Sequence, residues 1–105
     1  MRDTLAALIE RVEQATGPDL ELDAAIVASL KLYIIALMSG VPHYTASIDA
    51  AVSLVPEGWV WVVGNMGNAH VYEERTAGKS VTAEAATPAL ALTAAALRAR
   101  MESER

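Results

Sequence analysis

Apolar positions in the first half of the chain recur every three or four residues, which is the period of an α-helix. A first helix is expected to begin with Asp3 or Thr4 as its cap. It is expected to end near Thr16, because Gly17-Pro18 cannot continue a helix. Its apolar face is formed by Leu5, Leu8, Ile9 and Val12.

A second helix is expected to begin after Asp19 and to run to about Met38, where Ser39-Gly40 ends it. It is apolar around most of its circumference, which is typical of a helix buried on several sides. In so small a chain this predicts either a central helix or a subunit interface. The apolar positions are the i, i+4 row Leu22, Ile26, Leu30, Ile34 and Met38, with Val27, Tyr33 and Leu37 beside it and Leu32 and Ile35 to the side.

A short third helix is expected after a loop at residues 41–44, with Thr45 or Ser47 as its cap and its end near Leu54. Its inner side consists of Ile48, Ala51, Val52 and Val55. Pro56-Glu57-Gly58 is typical of a turn, so the helical part of the chain is expected to stop there.

Residues 59–64 are aromatic and β-branched without helical spacing, and they predict a strand. Trp59, Trp61 and Val63 share one face, whereas Val60 and Val62 share the other. Because both faces are apolar, we expect the strand to be covered on both sides. A hairpin turn at 65–68, a second strand at 69–74, another turn at 76–79 and a third strand at 80–84 follow.

Thr87-Pro88 marks the start of a last helix, since threonine suits the N-cap and proline the first helical position. This helix is expected to end near Met101. The order α-α-α-β-β-β-α therefore predicts an α+β fold in which helices wrap a three-stranded antiparallel meander.

Composition limits the size and the partners of this fold. The chain has 105 residues, of which 53% are hydrophobic, and this predicts one folded domain over residues 1–105. It has no cysteine, which excludes disulfides, thiolate metal sites and a cysteine nucleophile. The net charge is −5 and neither half is basic, so the electrostatic footprint of a nucleic-acid or anionic-lipid partner is missing.

The most apolar run, residues 24–38, is shorter than the roughly 20 residues of a membrane span and contains Lys31. The N-terminus lacks the basic segment and apolar core of a secretory signal, because Glu10, Arg11 and Glu13 follow it closely. We therefore expect a cytoplasmic location and no membrane partner.

Three titratable residues could in principle form a base or a metal site: His43, Asp49 and His70. The two histidines lack the paired spacing of metal ligands on a helix. The favoured interpretation is that His43 is a solvated loop residue and that His70 lies on a face of the sheet. The sequence also lacks a GxSxG nucleophile elbow and a GxxxxGK phosphate loop. We expect no catalytic, cofactor or metal site, and a non-enzymatic protein is favoured over a small enzyme that uses Asp49, His43 or His70.

Nucleic-acid binding is the alternative function. Trp59 and Trp61 could stack on bases, although a core role is favoured in a chain without phenylalanine. From the third helix onward the order α-β-β-β-α also resembles the double-stranded RNA-binding domain. That domain depends on basic residues at the start of its last helix, where this chain has Glu84 and then Ala85-Ala86. The acidic net charge disfavours nucleic-acid binding, because it would repel the phosphate backbone.

Several segments, spread over about residues 5–100, together carry a resemblance to a known family. Residues 41–59, VPHYTASIDAAVSLVPEGW, precede a short hairpin and AATPALALTAAALRAR, and GPDLELDAAI lies upstream. The distinctive parts are Pro42-x-Tyr44-Thr45-x-Ser47 and Pro56-x-Gly58-Trp59. Together they resemble the phage ABA sandwich domain, a family of small uncharacterised phage and prophage proteins. The resemblance implies a layered α-β-α sandwich with helices on both faces of the sheet, and it implies no activity.

The combined interpretation is a phage or prophage accessory protein with a structural or protein-interaction role in the cytoplasm of a bacterial host. Its partner is expected to be a second copy, forming a homodimer or larger homo-oligomer, or a phage or host protein. The support is a surplus of apolar surface on the second helix and on both faces of the first strand. The residues expected to form the interaction surface are Val60, Val62, Tyr33, Leu32 and Ile35.

Overall fold

A computed structural model, which describes residues 2–74 and 79–103, has an α+β fold in which helices pack on a three-stranded antiparallel sheet of order β1-β2-β3. The elements are α1 (Arg2–Gln14), α2 (Leu20–Leu30), α3 (Tyr33–Ser39), α4 (Ile48–Val52), β1 (Trp59–Gly64), β2 (Asn68–Glu73), β3 (Ser80–Glu84) and α5 (Pro88–Ser103). The predicted class, the meander and the final helix are confirmed. Residues 76–78 of the predicted second turn lie outside the described residues.

Helix α1 has the predicted apolar face but not the predicted start. It begins at Arg2, so Asp3 and Thr4 belong to its first turn, and the expectation that one of them is the cap was wrong. The four apolar residues predicted to share one face are all buried: Leu5, Leu8, Ile9 and Val12.

The predicted second helix is two helices, because the backbone breaks at Lys31. Asp19 caps α2 as expected, and its carboxylate accepts hydrogen bonds from the backbone N–H of Glu21 (2.9 Å) and of Leu22 (3.1 Å). Lys31 has left-handed geometry with φ of 57°, and the Leu32 N–H donates to the Val27 carbonyl at 3.0 Å. This closing pattern usually has glycine at the left-handed position, so a lysine there is no ordinary sign of a helix end.

Substituting Lys31→Gly is expected to raise the free energy of unfolding by about 0.5 kcal/mol. Glycine removes a left-handed strain of about 1–2 kcal/mol but adds entropy to the unfolded chain. Urea unfolding measures the change, and Lys31→Ala is the control, because it removes the charge and keeps the strain. Equal stability of the two variants would contradict a strained backbone at this position.

The caps of α4 and α5 are formed by side chains that hydrogen-bond within the first turn of each helix. Ser47, one of the two predicted candidates, caps α4, and its hydroxyl accepts from the Ala50 N–H at 3.3 Å. Thr87 does the same for α5, since its hydroxyl accepts from the Leu90 N–H at 3.2 Å. The predicted start of the last helix is therefore confirmed.

The sheet has one apolar face that belongs to the core. Trp61 pairs with Val71, which pairs with Val81, and Val63 pairs with Ala69, which pairs with Ala83. The buried residues of this face are Trp59, Ala69, Val71 and Ala83. Trp61 shares the face but is 38% exposed, although Trp59 on the same edge strand is buried. The expectation that both tryptophans form the core holds for Trp59 alone.

Helix α5 is the central helix of the domain. It contacts β1, β2 and β3 as well as α1 and α4, and its residues 89–97 are all buried. Much of this helix is alanine, so the sheet and the other helices can approach its backbone closely. The predicted second helix was apolar enough for this place, but its α2 half packs beside α1 instead.

The outer face of the sheet, opposite α5, is largely open. Val62 is 55% exposed there, and His70 and Thr82 are exposed beside it. The expectation that β1 is covered on both sides, as in a three-layer α-β-α sandwich, does not describe this face. The alternating pattern of β1 revealed two apolar faces but not whether anything lies over them.

Candidate interaction surface

Helix α3 contributes no buried side chain to the domain. Three of its apolar residues are largely exposed: Ile34 at 74%, Leu37 at 87% and Met38 at 81%. Single exposed apolar residues are ordinary on a protein surface, whereas a contiguous group marks an interaction site. This group is the most apolar exposed segment in the described part of the chain.

The orientation of α3 follows from two residues. Leu32 and Ala36 pack against the core, so the helix lies on the domain through a small side chain near its middle. Ile34, Leu37 and Met38 have i, i+3 and i+4 spacing and therefore share the side that points away. We call the exposed apolar residues of this segment the α3 surface, which comprises Tyr33, Ile34, Ile35, Leu37, Met38 and Val41.

The residues predicted to form an interaction surface lie in two places. Tyr33 and Ile35 are exposed on α3, whereas Leu32 is partly buried against the core. Val60 and Val62 lie on β1, at the outer face of the sheet. Sequence reasoning missed Ile34, Leu37 and Met38, because it placed them in or beside a buried row that continued through Lys31. Only the break at Lys31 turns these residues away from the core.

A buried polar cluster connects the loop after α3 to the start of α2. Asp23 is 1% exposed, and its Oδ1 accepts hydrogen bonds from the backbone N–H and the hydroxyl of Thr45, both at 2.9 Å. The Thr45 hydroxyl oxygen also accepts from the Asp19 N–H at 2.8 Å. The cluster therefore holds the loop after α3 against the start of α2. Thr45 takes part in this cluster and does not cap α4.

His43 lies in the loop after α3, Asp49 in the first turn of α4 and His70 on β2. His43 Nδ1 lies 4.0 Å from Oδ2 of Asp23, which is beyond hydrogen-bond distance, and its side chain is 65% exposed. His70 lies on the outer face of the sheet, with its ring centroid 5.3 Å from that of Tyr72. Within residues 2–74 and 79–103 no group of three His, Asp or Glu side chains could hold a metal ion.

Tyr44 is the one buried ionisable ring beside the cluster. Burial raises its pKa above the ordinary value of 10.0; nearby Arg100 opposes the rise, and Asp23 adds to it. Its backbone carbonyl accepts a hydrogen bond from the Thr93 hydroxyl at 2.8 Å. This bond ties the same loop to α5, so Tyr44 holds the loop in place.

A wide groove of about 990 Å³ runs along the outer sheet and the β3 edge. The cation at its wall is already paired, because Arg98 forms a two-pronged salt bridge with Glu13 and also donates to the Thr82 carbonyl at 3.1 Å. The groove is also lined by Val62, His70 and Glu84. It offers no concentrated positive charge to a phosphate.

The segment before α5 bears on the nucleic-acid alternative through its charge. The order α4-β1-β2-β3-α5 is present, and the residues leading into α5 are Glu84, Ala85-Ala86 and Thr87. No arginine or lysine stands there to contact a phosphate backbone, which supplies most of the affinity in such complexes.

In the part of the chain that the structure describes, no helix has the length and apolarity needed to cross a membrane.

Comparison of the chain with protein-family models, with curated proteins and with solved structures gave no match.

Proposed function

We propose that this chain is a non-enzymatic accessory domain that acts by binding another protein through the α3 surface. The observation that carries the proposal is the exposure of Ile34, Leu37 and Met38 on a helix with no buried residue. Such a cluster is costly in water and gains stability when a partner covers it.

The length of α3 supports the same conclusion. A helix of seven residues is marginal by itself, and helices in proteins owe most of their stability to packing of an apolar face. In α3 the face that packs on the domain is Leu32 and Ala36, which is small. A partner that packs on the opposite side would therefore stabilise both the contact and the helix.

The resemblance to the phage ABA sandwich domain supports a phage or prophage setting and the cytoplasm of a bacterial host. The resemblance brings no catalytic residue with it. An interaction role needs none, and the polar groups of the Asp23 cluster are engaged in holding the loop at residues 42–47.

Photo-crosslinking in bacterial cells tests the proposal. A benzophenone amino acid at Leu37 is expected to yield one discrete adduct, and adding Ile34→Lys is expected to abolish it. The control is the same probe at the exposed Ala86, which is expected to yield none. Absence of an adduct at Leu37, or the same adducts at both positions, would refute a binding role for α3.

A further inference from the structure

We propose that the partner of the α3 surface is a second copy of this chain, with the two α3 helices packed against each other across a two-fold axis. This inference rests on the proposed function and specifies its partner. It predicts an isologous homodimer, in which the same residues of both copies contact each other.

The area of the α3 surface matches what a dimer needs. From the exposed fractions of its six residues, the surface offers at most about 700 Å² per protomer to a partner, and a standard interface uses roughly 800 Å² from each side. The value is large for a chain of 105 residues.

Charge limits where a second copy can bind. The net charge of −5 makes two copies repel each other over most of their surface. Residues 32–42 contain no charged side chain, so contact there places no like charges together. Depletion of charge at an apolar centre is typical of homodimer interfaces.

A lipid surface fits less well. Helices that lie on membranes combine an apolar face with a polar face rich in lysine and arginine. Helix α3 has the sequence YIIALMS and carries no charge, and the acidic chain would be repelled by anionic lipid. The observations therefore favour a protein surface of the same apolar character, which the chain itself provides.

Sedimentation equilibrium of the purified chain tests the dimer. The wild-type chain is expected to dimerise with a dissociation constant in the micromolar range. Leu37→Lys and Leu37→Glu are each expected to weaken dimerisation by about 30-fold or more, the effect of losing a residue central to an interface. Mixing the two variants is expected to restore a heterodimer, because lysine then meets glutamate across the axis.

The matched controls are Ala86→Lys and Ala86→Glu, which make the same charges at an exposed site away from α3 and are expected to dimerise like the wild type. Circular dichroism checks that all variants are folded. A wild-type chain that stays monomeric at hundreds of micromolar overturns the inference. Leu37 variants that dimerise normally also overturn it, as does a monomer that binds phosphatidylcholine vesicles through α3.

The two proposals fail in different ways. If the Leu37 adduct in cells contains a different protein and the purified chain is monomeric, the homodimer is wrong and the interaction role stands. If position 37 yields no adduct and the chain is monomeric, both are wrong.

Discussion

Asp23→Ala is expected to lower the free energy of unfolding by about 3 kcal/mol, measured by urea denaturation. The Asp23 carboxylate is buried and accepts two hydrogen bonds from Thr45. Without it the Thr45 N–H remains buried and unpaired, which costs about 1–3 kcal/mol. The loss of a charge near the start of α2 and of packing adds to this, whereas relief from burying a charge reduces it.

The control for Asp23→Ala is Glu21→Ala, which removes an exposed acid from the first turn of the same helix and is expected to cost less than about 0.5 kcal/mol. Thr45→Val completes a double-mutant cycle. Because Asp23 and Thr45 act as a unit, their effects are expected to be non-additive by at least about 1 kcal/mol. A loss for Asp23→Ala no larger than for Glu21→Ala would show that the cluster is dispensable.

The importance of Asp23 could not be predicted from the sequence. An aspartate in the first turn of a helix is ordinary helix-dipole chemistry, which gives no sign of burial. Its burial depends on Thr45, which lies 22 positions away and meets it only after the chain has turned back past α3. The caps at Asp19, Ser47 and Thr87 could be predicted because each bonds within its own helix start.

The same distinction between local and distant causes explains why the strand could be predicted but the burial of its faces could not. The strand at Trp59–Gly64 was predicted with the observed bounds, because alternation and β-branching act within the strand. Which apolar faces are covered depends on elements far along the chain. Hence β1 was expected to be covered on both sides, although Val62 is exposed, and α5 was not expected to be the central helix.

The location of the α3 surface could not be predicted for the same reason. Sequence reasoning offered two roles for one long helix, a central position or an interface. The break at Lys31 divides that helix into α2, which is partly buried, and α3, which is not. A three-to-four-residue period continues across the break, because a single left-handed residue does not alter the spacing in the sequence. The surplus of apolar surface could be predicted, but its location on Ile34, Leu37 and Met38 could not.

Gly67→Ala is expected to lower the free energy of unfolding by about 3 kcal/mol. Gly67 has φ of 80°, where an L-residue costs about 1–2 kcal/mol. A Cβ there would lie 2.2 Å from the Ala85 carbonyl oxygen, and relieving such overpacking costs about 1–3 kcal/mol more. The Ala85 N–H donates to the Gly67 carbonyl at 2.8 Å, so this close approach sets where the chain enters α5.

Gly58→Ala separates the two contributions. Gly58 has a similar φ of 88°, but an added Cβ would meet no atom within 4 Å. It is expected to cost only the backbone strain, so the excess for Gly67→Ala measures the contact with Ala85. Both are followed by tryptophan fluorescence in urea, which reports the buried Trp59. Equal losses at the two glycines would mean that the hairpin moves away from Ala85 without cost, and that the approach does not fix the entry of the central helix.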